Sequence, residues 1–223
     1  MNNQLPELFQ EHYINSYWSK EYINLLIDTP SEPNDYPNVL LDLNNCLIEL
    51  SLNLDNKKIL VIGSISPWIE CFLLNKKASM VYTTDVNIIK IESEKICFIL
   101  ESELLNHTFD LIISFSSIEH IGLGRYGDDI DPDGDLKYVN NLLKIIHNES
   151  YIMIGVPVAE NYKVDGNWHR IYDEKRIKEL FNSYNILLTS KNGMVNKKID
   201  YSFDNQYKFD WQNQPFIVLK QKI

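Results

Sequence analysis

Residues 109–135 read FDLIISFSSIEHIGLGRYGDDIDPDGD and constrain the fold more than any other stretch. The first seven are almost continuously apolar, then polar residues begin at once. A short run without polar alternation is the pattern of a strand covered on both faces, which occurs in parallel sheets. Where such a strand stops, open α/β sheets place their chemistry. The remainder repeats the pattern. ILVIG (59–63), SMVYTTD (79–85), ICFIL (96–100) and YIMIGVPV (151–158) read as strands. Helical spacing of apolar residues predicts helices over 68–77 and about 135–147. A third helix, capped by Asp173, carries Ile177, Leu180 and Phe181. NILLTS (185–190) and PFIVLK (215–220) read as a closing antiparallel pair. Residues 87–94 read as helical or irregular, and 191–214 as a long loop or extended hairpin.

Alternating strands and helices imply a parallel sheet with right-handed crossovers. Ahead of it, Leu5, Leu8, Phe9 and Tyr13 begin a helical pattern over 5–28. Three prolines in 29–37 break that pattern, and a second helix is expected over 39–53. The expected organisation is a helical N-terminal extension at 1–55 and a sheet domain at 56–223.

The 31 acidic and 21 basic residues give a net charge of −10, with basic residues only in scattered pairs. Nucleic acid and anionic membranes are therefore poor partners. No apolar run approaches the ~20 residues needed to cross a bilayer, and MNNQLPELFQEHY is no signal peptide. A cytoplasmic location is expected. Cys46, Cys71 and Cys97 lack metal-ligand spacing and read as small buried hydrophobes.

The turn IGSISPW (62–68) joins a strand to a helix, where backbone N–H groups can approach a ligand. Only Gly63 of a Gly-x-Gly-x-x-Gly fingerprint is present, which argues against a dinucleotide site. Asp85 ends the next strand 22 residues later, where a carboxylate can accept ribose hydroxyls or close a loop. Glu101 or Glu103 follows the third strand, placed to meet an adenine edge or simply solvated.

Together these features resemble a class I S-adenosylmethionine-dependent methyltransferase over about residues 55–220. Within that superfamily, four strings resemble the domain-of-unknown-function family first catalogued from nematode proteins: VIGSISPWIE (61–70), FSSIEHIGLGRYGDDIDPDGD (115–135), GVPV (155–158) and HRIYDEKRI (169–177). The resemblance implies a Rossmann-like α/β fold with a seven-stranded, mostly parallel sheet and an antiparallel last strand. It implies an O-methyltransferase acting on a sugar, nucleotide-sugar or glycan intermediate of surface-polysaccharide type. Implied cofactor contacts are Gly63, Ser64, Ile65, Ser66, Asp85, Glu101, Ser114 and Ser116. Implied substrate contacts are Arg125, Tyr126 and Arg170. Ile65, standing in a glycine's place, keeps open a second reading: a non-catalytic methyltransferase-like scaffold in glycan assembly.

The acidic loop spells Asp-x-Asp-x-Asp-Gly at Asp129, Asp131, Asp133 and Gly134. This is the start of a calcium loop, but its twelfth position is Asn140 rather than a bidentate Glu. The expected metal set is Asp129, Asp131 and Asp133 with Mg²⁺ or Ca²⁺; the competing role is favouring the next helix's start. His120 and His169 are candidate general bases for a hydroxyl acceptor. Arg170 reads either as an anion contact or as a pin for the acidic loop. Tyr201, Phe203, Tyr207, Phe209 and Trp211 read as a packed hairpin, a homodimer surface or a sugar-stacking face.

Overall fold

The computed structural model describes residues 17–202 and 209–222. Its frame is one sheet built from β2 (Ile59–Ile62), β3 (Val81–Thr84), β5 (Ile96–Phe98), β6 (Phe109–Phe115), β7 (Ile146–Gly155), β10 (Tyr184–Lys191), β11 (Met194–Asn196) and β12 (Phe216–Gln221). The order is β11-β10-β12-β7-β6-β2-β3-β5. β5, β3, β2, β6 and β7 run parallel, and β12 is antiparallel to both β7 and β10. The expected seven strands are present. The eighth, β11, is a three-residue edge strand that folds back on β10.

Ile62 pairs with Thr84 on one side and Ser114 on the other, so β2, β3 and β6 end level. The chain leaves β2 toward β3 and later returns to β2's other flank as β6. That reversal opens a crevice at the carboxyl ends of β2 and β6.

Alternate residues of each strand enter two cores, as the pleat requires. Ile59, Val61, Leu111 and Ile113 face helices α1 (Lys20–Asp28), α2 (Val39–Glu49) and α3 (Trp68–Asn75). Leu60, Ile62, Ile112 and Ile154 face α4 (Gly134–Asn141) and α5 (Glu174–Leu180). Cys46 and Cys71 are buried in the first core, but Cys97 is exposed, contrary to expectation.

Several boundaries differ from the sequence reading. Leu5, Leu8, Phe9 and Tyr13 lie outside the described residues. The described part of 5–28 starts with a two-residue strand, β1 (Tyr17–Trp18), before Ser19 caps α1 by accepting from the Tyr22 amide at 3.2 Å. β1 pairs in parallel with β4 (Lys90–Ile91), and the rest of 87–94 is irregular, the second of the two readings, with no helix. α2 stops at Glu49 because Ser51 turns left-handed, with φ +48°. The helix expected over 135–147 gives way at Leu142 to a 3₁₀ turn, and β7 starts at Ile146. A hairpin absent from the sequence reading joins β8 (Lys163–Asp165) to β9 (His169–Ile171). Asp173 caps α5 as expected, accepting from Arg176 N at 2.7 Å. Of the aromatic set, Phe203 and Tyr207 lie outside the described residues. Phe209 and Trp211 stack at 5.7 Å, with a 3₁₀ turn over Asp210–Gln212 where a hairpin was expected.

Candidate active site

A cavity of about 180 Å³ sits at the carboxyl ends of β2, β3 and β6. The β2–α3 turn forms one wall. Gly63 has φ +75° and its N–H donates to the Thr84 carbonyl at 2.9 Å. A Cβ here would lie 2.0 Å from Ser117 Oγ, so only glycine lets this turn meet the turn after β6. Gly63 and Ile65 line the cavity. Ser64 is buried and Ser66 half-buried, and neither is among the lining residues. Trp18 donates its indole N–H to the Ile65 carbonyl at 3.3 Å, bracing the turn from the N-terminal segment.

Asp85 lines the cavity just past β3. Its Oδ1 accepts from Asn87 N (2.8 Å) and Nδ2 (3.1 Å), which fixes the carboxylate at the rim. Burial raises its pKa. Glu101 lines the cavity beyond β5. Glu103 instead accepts from Leu100 N at 3.3 Å and caps the 3₁₀ turn that follows. Tyr138 of α4 forms another wall, its phenol kept protonated by burial and then by the charges of Glu101 and Asp85.

The turn after β6 supplies Ser116, Ser117 and His120. Ser116 has φ +51°, a strained value for a residue with a side chain. Its hydroxyl donates to Glu119 Oε1 at 2.9 Å and accepts from Tyr36 OH and Gln214 Nε2, each at 3.1 Å. Ser114 is directed elsewhere: it is buried and donates to the Ile62 carbonyl at 3.4 Å. His120 Nδ1 bonds the Trp168 carbonyl, which also accepts from Arg125 Nη1 at 3.0 Å. Arg125 Nη1 also stands 3.2 Å from His120 Nδ1, so a donor and an acceptor meet at the same ring nitrogen. Burial first, then the Arg125 charge, lowers the His120 pKa to about 3, so the ring is neutral.

Tyr126 and Asp128 also line the cavity. Asp128, which sequence reasoning missed, accepts from Gly122 N at 2.6 Å and from Tyr126 N at 3.3 Å, closing the loop on itself. Arg125 is not a lining residue. It lies over the Trp168 ring at 4.8 Å and the Tyr126 ring at 5.2 Å.

Five more expected site residues, Arg170, His169, Asp129, Asp131 and Asp133, fall outside the cavity lining. Arg170 is 1% exposed. It donates to the carbonyls of Glu119, Ile121, Asp131 and Pro132 at 2.6–3.3 Å, with Asp135 3.7 Å from Nε. It pins the acidic loop and does not reach the cavity. His169, on β9, is half-buried and outside the lining; burial lowers its pKa. The expected metal set does not converge. Asp131 pairs with Lys137 at 2.6 Å, Asp133 pairs with Arg176 at 3.1 Å, and Asp129 is exposed. Among the described residues no group of three or more His, Cys, Asp or Glu is arranged to hold a metal ion.

The cavity's charge is informative. Asp85, Glu101 and Asp128 line it together with an uncharged His120, and no described lining residue is Lys or Arg. Such a lining suits a cation and not a pyrophosphate.

The comparisons agree on architecture. The family described as "Caenorhabditis protein of unknown function, DUF268" matches residues 56–222. No curated protein matches the chain. A solved S-adenosylmethionine-dependent methyltransferase from Clostridium acetobutylicum is 14% identical, with a TM-score of 0.52 over 91% of this chain and 98% of its own. The Burkholderia thailandensis 1,6-didemethyltoxoflavin-N1-methyltransferase, solved with S-adenosylhomocysteine, is 10% identical, with a TM-score of 0.53 over 100% and 93%. A methyltransferase from Anabaena variabilis is 11% identical, with a TM-score of 0.51 over 91% and 93%. At these identities the likeness is one of fold: the Rossmann-like class I methyltransferase fold. No helix among the described residues is long and apolar enough to cross a membrane.

Proposed function

The chain belongs to the DUF268 family, and from that premise we propose that it is an S-adenosylmethionine-dependent O-methyltransferase whose acceptor is a sugar, nucleotide-sugar or glycan intermediate. The observation that carries the reading is the cavity at the sheet's reversal point, lined by Gly63, Asp85, Glu101 and His120, with acidic side chains and no Lys or Arg among the described lining residues. Gly63 lets the β2 turn approach a nucleoside closely. Asp85 accepts from ribose hydroxyls, and Glu101 lies where an adenine edge would fall. Asp128 offers negative charge to a cationic ligand. S-adenosylmethionine, when bound, supplies a methyl group activated by a sulfonium.

His120 stands at the acceptor end. Its neutral ring offers a nitrogen lone pair to an acceptor hydroxyl, and its Nδ1 contact with the Trp168 carbonyl holds the ring in place. Trp168 is 45% exposed, and Arg125 lies over its ring and over that of Tyr126. The acceptor class rests on the sequence resemblance.

The alternative, a non-catalytic methyltransferase-like scaffold, is favoured by one observation: Ile65 replaces a glycine and is 71% exposed at the cavity rim. Titration calorimetry with S-adenosylmethionine separates the two. The methyltransferase reading predicts saturable binding that weakens at least about tenfold in Asp85→Ala, a loss of about 1.4 kcal/mol. No heat up to millimolar ligand would leave the scaffold. Binding unchanged in Asp85→Ala would remove Asp85 from the ribose role.

A further inference from the structure

Glu119 is 1% exposed and lies behind the wall that His120 presents to the cavity. Its Oε1 accepts from Ser116 and stands 3.7 Å from His120 Nε2. Its Oε2 is buried with no hydrogen-bond partner among the described residues. A sealed carboxylate with an unpartnered oxygen is costly unless it takes up a proton or faces a cation. Both its nearest polar neighbours, Ser116 and His120, line the cavity, and the backbone is strained at Ser116. The groups facing the pair are Tyr36, Arg125, His169, Arg170 and Tyr172, drawn from three other segments. Of the two guanidinium groups, Arg170 meets only the backbone carbonyl of Glu119, while the charge of Arg125 acts on the carboxyl from a distance.

We propose that Glu119 and His120 act as a single proton-holding unit, in which the acceptor's proton enters at the His120 ring and the buried Glu119 carboxylate, 3.7 Å from that ring, balances it. This rests on the methyltransferase reading above. The acceptor O–H bond breaks, its electron pair stays on the oxygen, and the proton passes to the Glu119–His120 pair, which gains one unit of charge. His120 alone is a weak base, because burial and Arg125 oppose its charging. Glu119, pushed up to about 7 by burial, supplies the affinity that the ring lacks. Glu119 acts through His120 and is a positioning residue. Two interacting sites of this kind titrate jointly.

The test needs no cofactor. The ¹⁵N resonances of the His120 ring and the infrared carboxyl band of Glu119 are followed from about pH 5 to about pH 9, the window across which Glu119 changes charge and the neighbouring ring reports it. The expected result is one shared inflection near 7. Glu119→Gln abolishes the inflection at His120, and His120→Gln displaces the Glu119 band. If Glu119→Gln does not fold, the His120→Gln arm decides alone. A His120 signal that titrates identically with and without the carboxylate, or a Glu119 band indifferent to His120→Gln, overturns the unit. Failure of S-adenosylmethionine to bind in calorimetry would instead sink the methyltransferase reading and leave the coupled titration intact.

Discussion

Gly63→Ala probes the contact between the two turns that form the cavity. Two costs are separable. At φ +75° an L-residue pays about 1–2 kcal/mol for the left-handed backbone. The new Cβ also lies 2.0 Å from Ser117 Oγ and 2.6 Å from Ser117 Cβ, an overlap that adds about 1–3 kcal/mol as the turns part. Gly63→Ala should therefore destabilise by about 2–5 kcal/mol and weaken S-adenosylmethionine binding. Ser117→Gly removes both clashing atoms and leaves Ser117 Cα at 3.8 Å, an ordinary contact. Only the backbone cost then remains. Urea denaturation of the wild type, both single variants and the double variant gives the coupling directly. The expected coupling is about 1–3 kcal/mol in favour of the double variant. Strictly additive effects would refute the claim that the two turns touch at Gly63.

Glu70 is wholly buried in the first turn of α3 and accepts from Thr83 Oγ1 at 2.8 Å, and burial raises it from the ordinary 4.5 to about 7. A raised carboxyl favours the folded state below the unfolded pKa and loses that advantage as pH rises through the folded one. Relative to Glu70→Gln, wild-type stability should fall by up to about 3 kcal/mol between pH 4.5 and 8; denaturation curves of equal pH slope for both proteins would contradict this. Arg170→Met leaves four carbonyls without their donor and removes a cation from Asp135. It should cost about 3–5 kcal/mol and speed amide exchange across 121–134, whereas slow exchange there would show that Arg176 suffices to hold the loop.

The parallel strands were legible because β2 and β6 are covered on both faces and carry almost no polar residue. Asp173 was legible as a cap, and Asp85 by its place at a strand end. The β8–β9 hairpin was not: Lys163, Val164 and Asp165 are all exposed and carry no period-two pattern. Residues 17–18 and 90–91 pair as two-residue strands, too short for any periodicity. The acidic loop read as a metal site because its spacing is visible in sequence, whereas Lys137, Arg170 and Arg176, which neutralise it, arrive from other segments. Glu119 read only as a neighbour of His120, since nothing local shows that its side chain turns inward. Tyr138 and Asp128 reach the cavity by tertiary placement alone.

A crystal structure with S-adenosylhomocysteine tests the central claim most directly. The account predicts the ribose on Asp85, the nucleoside against Gly63, and the sulfur directed toward His120. A ligand bound elsewhere, or a cleft at β2, β3 and β6 that excludes it, would contradict the account.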